Sequence, residues 1–346
     1  MPIIISLLLT LMMSITAWAN AGPPSMSPGD QQLVFIEETG VALTEEWIRL
    51  EISDEYFSRG RVDVTYHLEN TSGEERYIDL LFITPRFPDH YEDADFTATA
   101  GGVEIREFTE VSGRDLPGNW QADIRDFNID PVGNRKLAYF YEDHGRYGRD
   151  QQMGYGFEVF LNETGTTELQ VSYNSYSGYY DFQQVINVIN TQIYYLSPAA
   201  FWEGDVTVHY EVVLPSDDFE IYSNLPLVNA GEGRYMGSLD GLPDAEWMIN
   251  YVSTSGLYFG TNNPLVHNGM AAALMLLLLI IGLLTLKSNR LISRIVMIFI
   301  LPIILLFHIP YGFEYLFVYL WPVILLIGLV VAIFTYRRRF KKQRSI

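Results

Sequence analysis

The run Asp89-His90-Tyr91-Glu92-Asp93-Ala94-Asp95 gathers hard oxygen donors on one stretch of chain. Carboxylates such as Asp89, Glu92, Asp93 and Asp95 are the ligand type that Ca²⁺ takes. The spacing is not that of an EF-hand loop, which orders its donors around a central Gly. With 42 Asp and Glu in the chain, clusters of this kind also arise by chance. Calcium is the one cofactor that these residues suggest, and Asp89, Glu92, Asp93 and Asp95 are its candidate ligands.

Other chemistry finds little support. The six His are His67, His90, His144, His209, His267 and His308, and none forms an H-E-x-x-H pair. No G-x-S-x-G elbow is present. No Gly-rich phosphate loop occurs either. Cysteine is absent, which removes thiol catalysis and thiolate metal sites. Lys136 is the only Lys before residue 287, and no Ser precedes it at S-x-x-K spacing. Carboxylate pairs able to hydrolyse a glycosidic bond depend on a geometry that sequence hides. Trp120, Tyr179 and Trp202 would suit sugar stacking if exposed, or fill a core and its rim if not. Asn70-Thr71-Ser72 and Asn162-Glu163-Thr164 match the glycosylation pattern in two expected turns.

The elements that position these residues read as β-strands. Val62, Val64, Tyr66 and Leu68 alternate with polar residues, the mark of a half-buried strand, and Asn70 to Gly73 turns it. Ile48, Leu50 and Ile52 share one face of an earlier strand, where His67 and His209 fall on polar faces of theirs. Tyr77 to Ile83 is more evenly apolar and stops at Pro85. Phe96 to Ala100, Gly101-Gly102 and Val103 to Phe108 read as a hairpin. Further strands are expected near Phe157–Leu161, Leu169–Tyr173, Ile193–Leu196, Val206–Tyr210 and Trp247–Val252. The fold class is therefore all-β and sandwich-like, with two lobes at 33–110 and 157–253. Residues 111–156, rich in Gly, Asp, Arg and Tyr, form an irregular insertion or connection between them.

Both ends of the chain are apolar. Ile3 to Met13 is too short to span a bilayer and leads into Ala17-Trp18-Ala19 and Ala19-Asn20-Ala21. That pattern is a secretory signal peptide over 1–21, cleaved after Ala19 or Ala21, although no Lys or Arg precedes the apolar run. A Pro- and Gly-rich linker follows at 22–32. A membrane-proximal linker at 254–268 precedes three α-helical crossings, at about 269–286, 291–309 and 315–336. Lys287, Arg290 and Arg294 lie between the first two, and the tail 337–346 carries six Lys and Arg. Basic segments stay cytoplasmic, so three crossings place both of them inside and the β region outside. His308 and Glu314 are the only ionisable residues of this module outside the basic segments, and both fall at the outer interface. An anchoring or docking bundle is therefore favoured over a pore.

Charge completes the picture. Residues 22–265 hold 13 Lys and Arg against 41 Asp and Glu, a net of −28. Such a surface repels nucleic acid and attracts cations and basic surfaces. Twelve of the 13 are Arg, which keeps its charge at high pH. That bias fits an alkaline or saline exterior, or compositional drift. The expectation is a non-enzymatic protein of the cell membrane, anchored in the lipid bilayer. Its external β region would bind a ligand or serve a membrane-protein partner as an accessory or sensor subunit. A subunit of a transport or export assembly, and a hydrolase acting on envelope polymers, are the alternatives.

Overall fold

The computed structural model describes residues 21–22, 24–26, 33–35, 40–53, 59–85, 95–122, 129–137, 152–180, 185–257 and 259–285. Nearly all of the expected signal peptide, the second and third apolar runs and the basic tail lie outside the described residues. The chain forms two compact units, residues 1–180 with 188–253, and residues 181–187 with 254–346.

The first unit is β throughout its described residues. Its strands are β1 (Ala21–Gly22), β2 (Pro24–Met26), β3 (Leu33–Phe35), β4 (Val41–Ile52), β5 (Arg59–Asn70), β6 (Arg76–Pro85) and β7 (Thr97–Ala100). Then come β8 (Val103–Ile105), β9 (Thr109–Ser112), β10 (Ile129–Asp130), β11 (Arg135–Lys136), β12 (Gln152–Leu161), β13 (Thr166–Tyr176) and β14 (Gly178–Tyr180). The last are β15 (Ile189–Tyr194), β16 (Thr207–Val213), β17 (Phe219–Ser223), β18 (Val228–Gly231), β19 (Arg234–Asp240) and β20 (Trp247–Ser253). An eight-stranded sheet runs β18-β19-β16-β4-β5-β13-β7-β8. Two four-stranded sheets, β1-β6-β12-β9 and β14-β15-β20-β17, supply the facing core residues.

Period-two patterning explains the large sheet. Val62, Val64, Tyr66 and Leu68 of β5 are buried, as are Leu169, Val171 and Tyr173 of β13 and Val208, Tyr210 and Val212 of β16. The evenly apolar stretch of β6 has a different cause. Leu80 and Phe82 point into the main core, whereas Leu81 and Ile83 point the other way. There they meet Phe35, Leu116, Trp120, Ile193, Tyr195 and Met248 in a second core. Strands covered on both faces lose their alternation. The hairpin at β7 and β8 turns on Gly101 and Gly102, both at positive φ (56° and 78°), which a two-residue turn of this hand needs.

The strands expected in two separate lobes share one sheet. β16, from the expected second lobe, pairs in parallel with β4, from the first, and β13 pairs with β5. Alternation reveals which face a strand buries but not which strand lies beside it, so chain order suggested lobes that the pairing interleaves. Of the expected insertion at 111–156, residues 111–122, 129–137 and 152–156 are described. They include the end of β9, a 3-10 turn at Gly113–Asp115, β10, β11 and the start of β12.

In the second unit, Asn262 accepts hydrogen bonds at Oδ1 from the backbone N–H of Ile186 (3.0 Å) and Asn187 (2.7 Å). Its Nδ2 donates to the Asn187 carbonyl at 3.1 Å. Asn263 then caps helix α1 (Pro264–Thr285), accepting from the N–H of Leu265 at 3.0 Å. Asn at the cap followed by Pro in the first turn is a strong helix start. Among the described residues no helix is long and apolar enough to cross a membrane. Alpha-1 has 22 residues, but the side chains after Leu277 lie outside the description, and the three-pass module is not supported here.

Candidate functional site: an acidic, aromatic groove

The structure describes only some of the candidates that sequence singled out. Asp89, Glu92 and Asp93 lie outside the described residues. Asp95 is exposed, at φ 45°, with its carboxylate 3.5 Å from the Arg61 guanidinium. Among the described residues no group of three His, Asp or Glu is placed to hold a metal ion. Trp120 and Trp202 are core residues rather than stacking platforms. Trp120 is buried and its Nε1 donates to Ser197 Oγ at 3.0 Å. Asn70 is also buried, and its Nδ2 donates to the carbonyls of Glu74 (2.8 Å) and Asn162 (2.6 Å). That nitrogen holds the turn together, so a glycan on Asn70 would replace one of its two N–H groups and cost at least one of these bonds. His67 and His209 do lie on the outer face of the large sheet, but with partners. Glu45 Oε2 is 3.1 Å from His67 Nδ1, and Trp47 stacks on His209 at 3.9 Å.

The feature best shaped to receive a ligand is an open groove of about 1620 Å³ in the first unit. It exists because three strands end at different points. β9 pairs with β12 only from Met153 to Gly156. The chain entering β9 comes from β8, in the other sheet, through Arg106, Glu107 and Phe108. Phe108 packs against Phe96 and Phe157, with ring centroids 5.1 and 5.8 Å away. Phe157 to Leu161 of β12 are therefore paired to β6 on one side and, among the described residues, to no strand on the other.

Side chains along this edge alternate. Phe157, Val159 and Leu161 are buried, and Glu158 and Phe160 are exposed. Phe160 is the register partner of Tyr77 on β6, and their rings lie 5.1 Å apart. Tyr77 is 68% exposed and Phe160 40%, a large aromatic surface left in water. Asp79, Glu104, Glu107 and Glu158 line the same groove with one cation, Arg106, whose Nε donates to Glu104 at 3.1 Å. Aromatic faces and surplus carboxylates together favour a ligand that carries positive charge beside apolar surface.

Elsewhere in the first unit lies a buried carboxyl that sequence reasoning missed. Thr44 is the extra residue of a β-bulge, set between Leu43 opposite Leu68 and Glu45 opposite His67. The bulge keeps Val41 and Leu43 on the inward face while Glu46, Ile48, Leu50 and Ile52 also point inward. Glu46 is wholly buried, and burial pushes its carboxyl up to about 8. Tyr194 Oη donates to Glu46 Oε1 at 2.7 Å and lies 2.9 Å from Tyr66 Oη, which opposes the rise. A second buried acid, Glu246, accepts from Ser197 N at 3.0 Å and from Ser197 Oγ. The signal for Glu46 was present, because it shares parity with Ile48, Leu50 and Ile52.

No family model matches the sequence, and no curated protein does. Solved structures resemble it only slightly. A Legionella pneumophila protein, provisionally assigned to nutrient binding, is 14% identical over 68% of this chain and 72% of its own, with a TM-score of 0.42. An M1 zinc metallopeptidase from Deinococcus radiodurans is 11% identical, with a TM-score of 0.31 over 63% of this chain and 44% of its own. Leukotriene A4 hydrolase from Saccharomyces cerevisiae is 10% identical, with a TM-score of 0.35 over 66% and 32%. The chain thus spans less than half the length of these two enzymes. Likenesses this slight transfer neither fold nor activity.

Proposed function

We propose that the chain is a membrane-anchored, extracytoplasmic β-domain protein that binds a ligand through the groove beside β12. The observation that carries this reading is the groove itself, where Tyr77, Phe160 and four carboxylates are left in water on one open edge. Exposed aromatic surface has a cost in a free protein, and a bound ligand offsets it. Anchoring rests on the sequence. The first apolar run, at about 269–286, contains no Asp, Glu, Lys or Arg. Two further apolar runs and the basic segments give a topology with the β region outside and the tail inside. In that setting the ligand is an external molecule or a neighbouring membrane protein, and the role is non-catalytic.

The natural absence of Cys makes the topology test clean. Glu163→Cys lies in the exposed turn between β12 and β13, and Ser345→Cys in the tail. With a membrane-impermeant maleimide on intact cells, Glu163→Cys should label and Ser345→Cys should label only after permeabilisation. Labelling of both, or of Ser345→Cys alone, contradicts the proposed arrangement.

A further inference from the structure

Sheet edges are normally protected by bulges, by shortness or by covering elements. The β18 end of the separate eight-stranded sheet follows this rule, since β18 is four residues long and bulged between Asn229 and Gly231. The β12 edge does not. Phe157 to Leu161 run straight in register with β6, without a bulge or a Pro, and beyond Gly156 they have no described strand on the other side. Five extended residues present about 17 Å of edge. The vacant lane continues the line of β9, so an added strand would extend a sheet already formed.

From this the geometry points to strand addition: the groove takes an extended polypeptide segment that pairs with the backbone of Phe157–Leu161 and carries Lys or Arg. This deepens the binding reading above and rests on it. Main-chain pairing supplies affinity, and alternate side chains supply specificity. Residues of the incoming strand on the outer face would lie next to Glu158 and Phe160, and those on the inner face next to Phe157 and Val159. Outward Lys or Arg would meet Glu158 and Asp79 and the exposed rings of Phe160 and Tyr77. Glu104 and Glu107 stand on the β8 side of the same groove. The acids also select against the obvious wrong partner. A second copy of this chain would bring the same surplus of carboxylates to the groove, and like charges repel.

The test uses the full chain in detergent micelles and a synthetic nine-residue peptide that alternates Lys and Val. Its controls are the same peptide N-methylated at every second amide, a Glu and Val version, and an oligosaccharide panel. The Lys and Val peptide should bind, slow amide exchange within 157–161 and lose at least tenfold in affinity on N-methylation. Glu158→Lys with Glu104→Lys should weaken it at least tenfold while the melting temperature stays unchanged. Equal binding of the methylated peptide, without protection of 157–161, overturns strand addition and leaves the groove reading standing. Oligosaccharide binding blocked by Phe160→Ala does the same, with a sugar as the ligand. If no probe binds in the groove, both readings fall.

Discussion

Glu46 and the groove carboxylates are the same chemistry in opposite surroundings. Glu46 is sealed between sheets, bonded to Tyr194, and keeps its proton to about pH 8. Glu158, Glu104, Glu107 and Asp79 stand in an open groove of about 1620 Å³ with Arg106 as their only lining cation. The pair teaches how to read a net charge of −28 over residues 22–265. Nearly every acid on a surface is cheap, and its charge is available to a partner. An acid inside is costly when charged, so it persists only as a neutral hydrogen-bonding group.

The contrast can be broken first at Glu46. The folded chain holds this proton up to about pH 8, whereas the unfolded chain releases it near the ordinary value of 4.5. The folded state therefore binds more protons between those limits, and stability falls as pH rises through them. Glu46→Gln carries no proton to lose. Denaturant melts should show wild type losing about 1 kcal/mol per pH unit relative to Glu46→Gln from about pH 5 to 8, then no further loss. Parallel curves for the two proteins would place a charged Glu46 in the folded core and end the comparison.

Next in size is Tyr194→Phe, which leaves the buried Oε1 of Glu46 without its 2.7 Å donor. The expected cost is about 1 to 3 kcal/mol by equilibrium unfolding. A loss well under that range would mean that Tyr66 takes over the bond. Smallest is Glu158→Gln in the groove, expected within about 0.5 kcal/mol of wild type because its side chain is exposed. A larger loss would make Glu158 a structural residue and weaken its assignment to a ligand.

Much of the β fold was legible residue by residue. Alternation in β5, β13 and β16 gave both the strands and their buried faces, and Gly101-Gly102 marked its hairpin. What failed was partnership. The parallel pairing of β16 with β4 joins residues some 160 positions apart, and a repeat of two carries no information about it. Trp120 and Trp202 were ambiguous for the same reason, since a Trp needs a partner such as Ser197 to be called buried. Glu46 was legible by parity, yet a Glu is commonly read as surface. The groove was not legible, because it arises where β9 stops short of Phe157, a matter of strand length against a neighbour distant in sequence.

The central claim is that the β12 edge is occupied where the protein works. Hydrogen exchange on the full chain, measured in native membranes and again after purification alone, tests it most directly. The account predicts that amides of Phe157–Leu161 exchange more slowly in native membranes and speed up on purification, while those of β5 and β13 stay the same. Equal rates at Phe157–Leu161 in both states would contradict it.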